Sequence, residues 1–414
     1  MQPIIKHSVI TTYGVLCSLI VGFLLGRFYL LQGQLIEWIG IGTAFRPVFN
    51  AVWLLAVGTL IYLVHHTTGQ LPKPLPKIKA EFKQTGTASY RYVLLQMVIP
   101  AIILTSGTSL GPEATLVSST ALYGIWLMEK CRYLNANWSQ LWHRGGWTVL
   151  GAFLLPHRYR QTATPHTKER IWTPQTIGFF VVGVISFYLT CKLGGEPSVI
   201  VYLGQFNWHP MELAWLLPLM LLGYLIGQLE LRLTQGLTAL INKWFTHKVA
   251  CLALGGIAIY LASLWLPAIN FSGMANFHLL ATSWQQQSIG FLVGSALLKL
   301  ILLVICLNTG WIGGDIFPVL FCATAQGIAI SQLLPHLNMV FVVGVIAISM
   351  GGTILESPLV AGGVMGIMFL PPNMLIVSTL VTAILVVAER VAFPRMALLG
   401  DQLRQQLLPS NYEN

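Results

Sequence analysis

Apolar runs separated by short polar stretches fill this chain, at residues 8–31, 47–64, 92–106, 114–128, 176–191, 211–229, 249–266, 289–307, 316–334, 339–354, 358–370 and 373–393. A spanning helix needs about 20 apolar residues. Some runs reach that length, and others are shorter or broken by Gly and Pro. The pattern predicts an all-α, polytopic membrane protein with tilted, re-entrant or half-length helices. Broken helices are tolerated at membrane depth only where their freed backbone groups are buried in protein or line a cavity. Transporters build ion sites from such helix ends. The first run is long, lacks a small-residue cleavage site and leads directly into further runs, so it reads as a first span and not as a cleaved signal.

Two segments share one plan. Residues 93–117 (VLLQMVIPAIILTSGTSLGPEATLV) and 296–320 (ALLKLILLVICLNTGWIGGDIFPVL) each run from an apolar helix through a small-polar stretch, glycines and an acid into a new apolar helix. Gly107 with Gly111, and Gly310 with Gly314, stand four apart, and Glu113 or Asp315 follows. The echo predicts two repeats, residues 1–204 and 205–414, the second ending in a short cytoplasmic helix. Repeats of this kind place a substrate site where interrupted helices meet. The uncapped N–H groups of a helix start, with the positive end of the dipole behind them, form an anion site without any cation. Gly111 and Gly314 let a backbone approach an ion closely, and Pro112 and Pro318 suit a first helical turn. A lone Gly-x-x-x-Gly also packs helices; two related copies, each with an acid, favour a site.

Composition agrees with the membrane reading: 55% of the 414 residues are hydrophobic, 9% are charged, and mean hydropathy is +0.71. The net charge of +10 does not point to nucleic acid, because the basic residues gather in a few loops: Lys73 to Arg91, Lys130 to Arg170, Arg232 to Lys248 and Arg390 to Arg404. Such loops mark the cytoplasmic side. Segments 194–212 and 265–290 hold no Lys or Arg and are expected to face outward. Cys17, Cys131, Cys191, Cys251, Cys306 and Cys322 lack CxxC spacing and read as packing residues. His65 and His66 are adjacent, so they do not share a helix face, and they read as interfacial and not as metal ligands. Trp208, Trp215 and Trp265 suit an aromatic belt. With no nucleotide loop, GxSxG elbow or HExxH, neither an enzyme nor a resident cofactor is expected.

The residues resemble the CLC family of chloride channels and chloride/proton antiporters. Ser109-Leu110-Gly111-Pro112-Glu113-Ala114 is similar to the family's gate segment in its divergent Gly-Pro-Glu form, and Gly313-Gly314-Asp315-Ile316-Phe317-Pro318 is similar to its Gly-x-Phe-x-Pro. Looser likenesses are Glu356-Ser357-Pro358-Leu359, within 341–363, and GGEPSVIVYL at the end of the first repeat. The resemblance implies a homodimer of helical subunits in a lipid bilayer, of the kind found in a bacterial inner membrane, each subunit with inverted repeats and its own pore for chloride or another monovalent anion. It makes Glu113 the gate that competes with the anion and takes up a proton. Gly111, Pro112, Ala114 and Thr115 at one helix start, and Gly314, Asp315, Ile316 and Phe317 at the other, would form the anion site, the amides of the last three binding the ion.

The chain departs from the family's pattern in four places. The family's Gly-Ser-Gly-Ile-Pro corresponds to Thr67-Thr68-Gly69-Gln70-Leu71-Pro72, so Gly69 stands at the serine position. Neighbouring Thr68 could compensate, or backbone alone could hold the anion. Met396 stands where the pore tyrosine is expected, and in place of an inner proton-carrying glutamate the chain has the basic stretch PHRYRQTATPHTKER, residues 156–170, with Glu169 the nearest acid and out of context. That stretch also contributes to the family's dimer interface. Asp315 replaces an apolar residue beside the proposed ion; it reads as a helix-start acid, with a second protonatable group or a vestibule position as alternatives. Proton coupling is left open. A fluoride-selective relative, a membrane-embedded lipid or glycan enzyme, and a non-conducting scaffold are the competing functions.

Overall fold

The computed structural model describes residues 2–392 apart from 43–44, 70, 144–145, 156–157, 164–172, 195–201, 205–208 and 274–276. Sixteen α-helices occur among them, numbered in chain order. They are α1 Gln2–Ile39, α2 Pro47–Thr67, α3 Leu75–Thr85, α4 Leu95–Leu104, α5 Glu113–Ala136, α6 Trp138–His143, α7 Gly146–Leu154 and α8 Pro174–Leu193. After these come α9 Leu216–Trp244, α10 Lys248–Trp265, α11 Phe277–Leu280, α12 Ile289–Asn308, α13 Ile316–Leu333, α14 Met339–Ile354, α15 Pro358–Val364 and α16 Leu375–Val387. Among the described residues each apolar run is helical over most of its length, and eight helical segments are long and apolar enough to cross a membrane. Glu169, Met396, Trp208 and most of GGEPSVIVYL lie outside the described residues, as does the chain after residue 392.

The chain forms two compact units. Unit 1 comprises residues 1–199, 245–272 and 305–315. Its longest contact is between α1 and α8, which approach through small residues. Gly22 lies against the Gly183 carbonyl and the Ser186 Cβ, and Gly26 lies against Thr190. Lipid supplies no hydrophobic drive between helices, so close backbone approach of this kind is what holds them. Ser186 adds a hydrogen bond from its hydroxyl to the Leu19 carbonyl at 2.7 Å. The start of α8 is fixed by a capping box, in which the Thr173 hydroxyl accepts from the Thr176 N–H while the Thr176 hydroxyl accepts from the Thr173 N–H, with Pro174 next in line. Leu25 and Phe28 of α1 close a buried cluster with Met97 and Ala101 of α4. Between α2 and α10, Asn50 Nδ2 donates to Ser263 Oγ at 3.1 Å.

A short amphipathic helix, α3, sits in the basic loop that the sequence leaves unstructured. Its Glu81 carboxylate accepts from the Lys73 ammonium and, at 3.2 Å, from the Ser89 N–H. Partial burial works to raise the Glu81 carboxyl, but those hydrogen bonds and the charges of Lys73 and Lys77 outweigh it and hold it below its ordinary value. A carboxyl depressed in the folded state contributes stability that is complete above its unfolded value and is lost as pH falls through the folded one. Limited proteolysis of residues 73–89 is therefore expected to quicken below the usual carboxylate range and to lose that acid dependence in Glu81→Gln; the partly exposed pair makes the effect small.

Unit 2 comprises residues 200–244, 273–304 and 316–414. Helices α13 and α14 form its centre and are buried almost all round. Helix α14 is capped by Asn338, whose side chain accepts from the Val340 and Phe341 N–H groups, while Glu212 accepts from the Asn338 N–H at 2.7 Å. Phe277 stacks on Phe369 at 3.7 Å and meets Phe321 edge-on at 5.8 Å. Helix α9 lies along α14 through Gly223 and Gly227, and a Cβ at Gly227 would come 2.9 Å from Thr353 Cβ and 3.0 Å from the Met350 carbonyl oxygen. Gly227→Leu should thus force α9 off α14 at a cost of about 1–3 kcal/mol. The check is the thermal aggregation midpoint in detergent, expected to fall below that of the native chain.

Candidate functional site

The two related segments make the same turn in unit 1. After α4, the Thr105 hydroxyl donates back to the Ile102 carbonyl; after α12, the Thr309 hydroxyl donates back to the Ile305 carbonyl, each at 2.6 Å. Gly107 and Gly310 then take φ of 83° and 92°. Side chains rarely tolerate that left-handed region, which is why glycine stands there. Four residues later the second glycines meet. The Gly111 N–H donates to the Gly314 carbonyl at 2.8 Å, and the Gly314 N–H donates to the Gly111 carbonyl at 2.7 Å, an isolated antiparallel bridge.

Glu113 opens α5 and folds back over this pair. It is only 6% exposed. A Cβ on Gly111 would overlap the Glu113 carboxylate, and one on Gly314 would overlap its Oε2 and crowd its carboxyl carbon. The bare backbone of two glycines therefore makes the niche in which the carboxylate rests. Pro112 immediately precedes α5 instead of sitting in its first turn, whereas Pro318 does lie in the first turn of α13. The first intrahelical bond of α5 runs from the Leu116 N–H to the Pro112 carbonyl at 2.9 Å. Helix geometry thus leaves the N–H groups of Glu113, Ala114 and Thr115 without intrahelical acceptors, at the positive end of the dipole. Thr115 is 1% exposed and its hydroxyl has no hydrogen-bond partner among the described residues; the same is true of Thr108, which is fully buried.

The other sequence candidates divide. Ile316 opens α13 and Phe317 is buried, its ring 6.1 Å from that of Phe369. Asp315 precedes the helix and is exposed, so it does not share the buried position of Glu113. Thr68 is half-buried and its hydroxyl donates to the Val64 carbonyl at 3.0 Å, closing the end of α2, while Gly69 is exposed with φ of 81°. No group of three or more His, Cys, Asp or Glu side chains that could hold a metal occurs among the described residues.

Gln96 escapes the sequence reading. Buried on α4, it accepts from the Lys73 N–H at 3.1 Å and donates to Ser118 and Ser119 of α5 at 3.2 and 3.3 Å. It thereby ties the loop after α2 to the helix that carries Glu113. A glutamine in an apolar run was the available signal. At the far end of α5, Glu129 accepts from the Thr87 and Tyr90 hydroxyls, and the fully buried Lys130 donates to the carbonyls of Ala152, Leu155 and Arg158. Lys130 thus belongs to the packed interior and not to the solvated basic loop the sequence assigns it to. The described part of the basic stretch, 158–163, is non-helical and is pinned by the Gln161 N–H to Glu129 and the Ala163 N–H to Gly86.

The fold is similar to that of two solved structures. One is a CLC-type fluoride/proton antiporter, with 15% identity and a TM-score of 0.65, covering 92% of this chain and 96% of that one. The other is a slow cyanobacterial Cl−/H+ antiporter, with 18% identity and a TM-score of 0.62, covering 96% of this chain and 99% of that one. At such identities the likeness is one of fold. No curated protein matches the sequence. The family model described as voltage gated chloride channel matches residues 166–390, more than half of the chain. The chain is a multi-pass membrane protein of the voltage gated chloride channel family, CLC, whose members transport anions.

Proposed function

We propose that this protein carries chloride across the membrane through a backbone-lined site at the Gly111–Gly314 bridge and the start of α5, with Glu113 as its gate. The observation that carries the reading is the Glu113 carboxylate lying in the niche of the Gly111–Gly314 bridge. An intramembrane carboxylate costs roughly 2.5–3.5 kcal/mol on insertion scales, so it needs a compensating role or partner. Here it sits at a helix start, where the positive end of the dipole attracts negative charge and where a halide would be held by the same forces. Glu113 and the anion then compete for one place. Protonation removes the charge that keeps the carboxyl there and admits the ion.

Gly111, Pro112, Ala114 and Thr115 line the place on the α5 side and Gly314 and Asp315 on the other, and the Thr115 hydroxyl is a side-chain donor available to the ion. Thr68 and Gly69 would border the inner approach. The two repeats, 1–204 and 205–414, a homodimeric assembly and a bacterial inner membrane belong to the same reading. Fluoride is the second candidate, favoured by the engagement of the Thr68 hydroxyl with Val64, which takes the nearest hydroxyl at the family's serine position. The test is flux from proteoliposomes loaded with chloride or fluoride, with both halide and pH recorded. Chloride efflux is expected; fluoride efflux without chloride efflux would transfer the assignment to fluoride, and neither would end it. Stoichiometric proton movement would add coupling to the account.

A further inference from the structure

Unit 2 buries two opposite charges against α13. Glu230 on α9 is 3% exposed and Lys299 on α12 is fully buried. Gln326 of α13 donates from Nε2 to Glu230 Oε1 at 2.6 Å, and Glu230 Oε2 is buried with no hydrogen-bond partner among the described residues. The Lys299 ammonium lies 5.1 Å from the centre of the Phe321 ring. Cys322, the next residue, stands one helical turn before Gln326. Ionisable groups at such depth are costly and mark ion pathways or deliberate pairing.

Position along α13 sets what each charge can do. Phe321 stands five residues past Ile316, so with a rise of about 1.5 Å per residue Lys299 lies beside a level roughly 7.5 Å into the helix, and Glu230 beside a level roughly 15 Å in. An anion resting just ahead of the first amides of α13 would be about 12 Å from the ammonium and nearer 20 Å from the carboxylate. At an effective dielectric of about 20, the first charge raises anion affinity about tenfold and the second lowers it about fourfold.

We infer that Lys299 strengthens anion binding at the start of α13 from a distance and that Glu230 is its titratable counter-charge, so that a proton on Glu230 unmasks Lys299. Neither group touches the ion. The inference rests on the anion reading above and adds a second pH-responsive group to it. Of the elements packed against α9, α14 has no titratable residue and the segment Pro210–Trp215 has Glu212; α13 carries Cys322, α12 carries Lys299 and Cys306, and α9 itself carries Tyr224, Arg232 and Lys243.

The test is calorimetric titration of the detergent-solubilised full chain with sodium chloride and sodium fluoride across pH, with every variant built on Glu113→Gln so that the gate does not contribute. Lys299→Met should weaken binding of the halide that binds about tenfold, and Lys299→Arg should restore it. Glu230→Gln keeps the acceptor for Gln326; it should strengthen binding about fourfold at the alkaline end and flatten the pH profile. Should Lys299→Met fail to fold, Glu230→Gln decides alone. The affinity and pH profile of the Glu113→Gln parent, unaltered in Glu230→Gln, would overturn the inference while leaving the anion reading intact. Absence of halide binding in the Glu113→Gln parent at every pH would overturn the anion reading and this inference with it.

Discussion

Glu113→Gln, reconstituted in liposomes, is expected to pass halide at a rate that no longer follows pH. In the native chain the carboxylate lies over the Gly111–Gly314 bridge, at the start of α5, in the place the proposal gives to the anion. Above the value at which the bound carboxyl ionises, the open fraction falls about tenfold per pH unit, so the native flux should show that slope over part of the range. Glutamine keeps the shape and the hydrogen-bonding ends but carries no charge to be drawn to the helix start. Its flux should therefore match the acid limit of the native chain at every pH, apart from any smaller dependence contributed by Glu230. Halide efflux recorded at several pH values checks this, and a variant with native rate and native slope would remove Glu113 from the gate.

Gly314→Ala should have an effect of comparable size in the opposite direction. Gly314 does not occupy the left-handed region, so alanine is allowed by its backbone and the consequence comes from the methyl group itself. That group would overlap the Glu113 carboxylate and fill the niche that the proposal gives to the ion. Overpacking of this kind typically costs about 1–3 kcal/mol, which corresponds to a loss of roughly 5–150-fold in halide affinity. Removing the carboxylate in Glu113→Ala/Gly314→Ala should restore little, because the methyl still stands in the place of the ion. Full recovery of binding in the double variant would show that the niche serves the carboxylate alone.

Much of the fold is legible in the sequence because membrane helices announce themselves by length of apolar run. The run at 339–354 is α14 to the residue, and 316–334 becomes α13, Ile316–Leu333. The break was legible too. Gly107 and Gly310 take left-handed conformations and Gly111 pairs with Gly314, at the positions the repeated spacing singles out.

Other features depend on pairings that no local pattern encodes. Helix α3 lies in a loop marked only by its lysines, and its contact between Lys73 and Glu81 forms across a turn of chain. Lys130 looks like the start of a basic loop until its ammonium is seen to meet three carbonyls contributed by residues 152–158. Glu230 and Lys299 are single charges at the edge or middle of apolar runs, too few to alter the reading of a run. Only the partner Gln326, far along the chain, and the ring of Phe321 give them a place. The position of the Glu113 side chain is of the same kind: its helix start is local information, but the niche needs Gly314.

In the proposed mechanism, backbone amides hold the transported ion where the Glu113 carboxylate now lies, with no cationic side chain in contact. The most direct test is a density map of Glu113→Ala in the presence of the halide that the flux assay selects. Halide density is expected against Gly111 and Gly314, within hydrogen-bond distance of N–H groups at the start of α5 and out of contact with any Lys or Arg. Density in contact with a lysine or arginine instead, or an empty niche in a variant that still conducts, would contradict it.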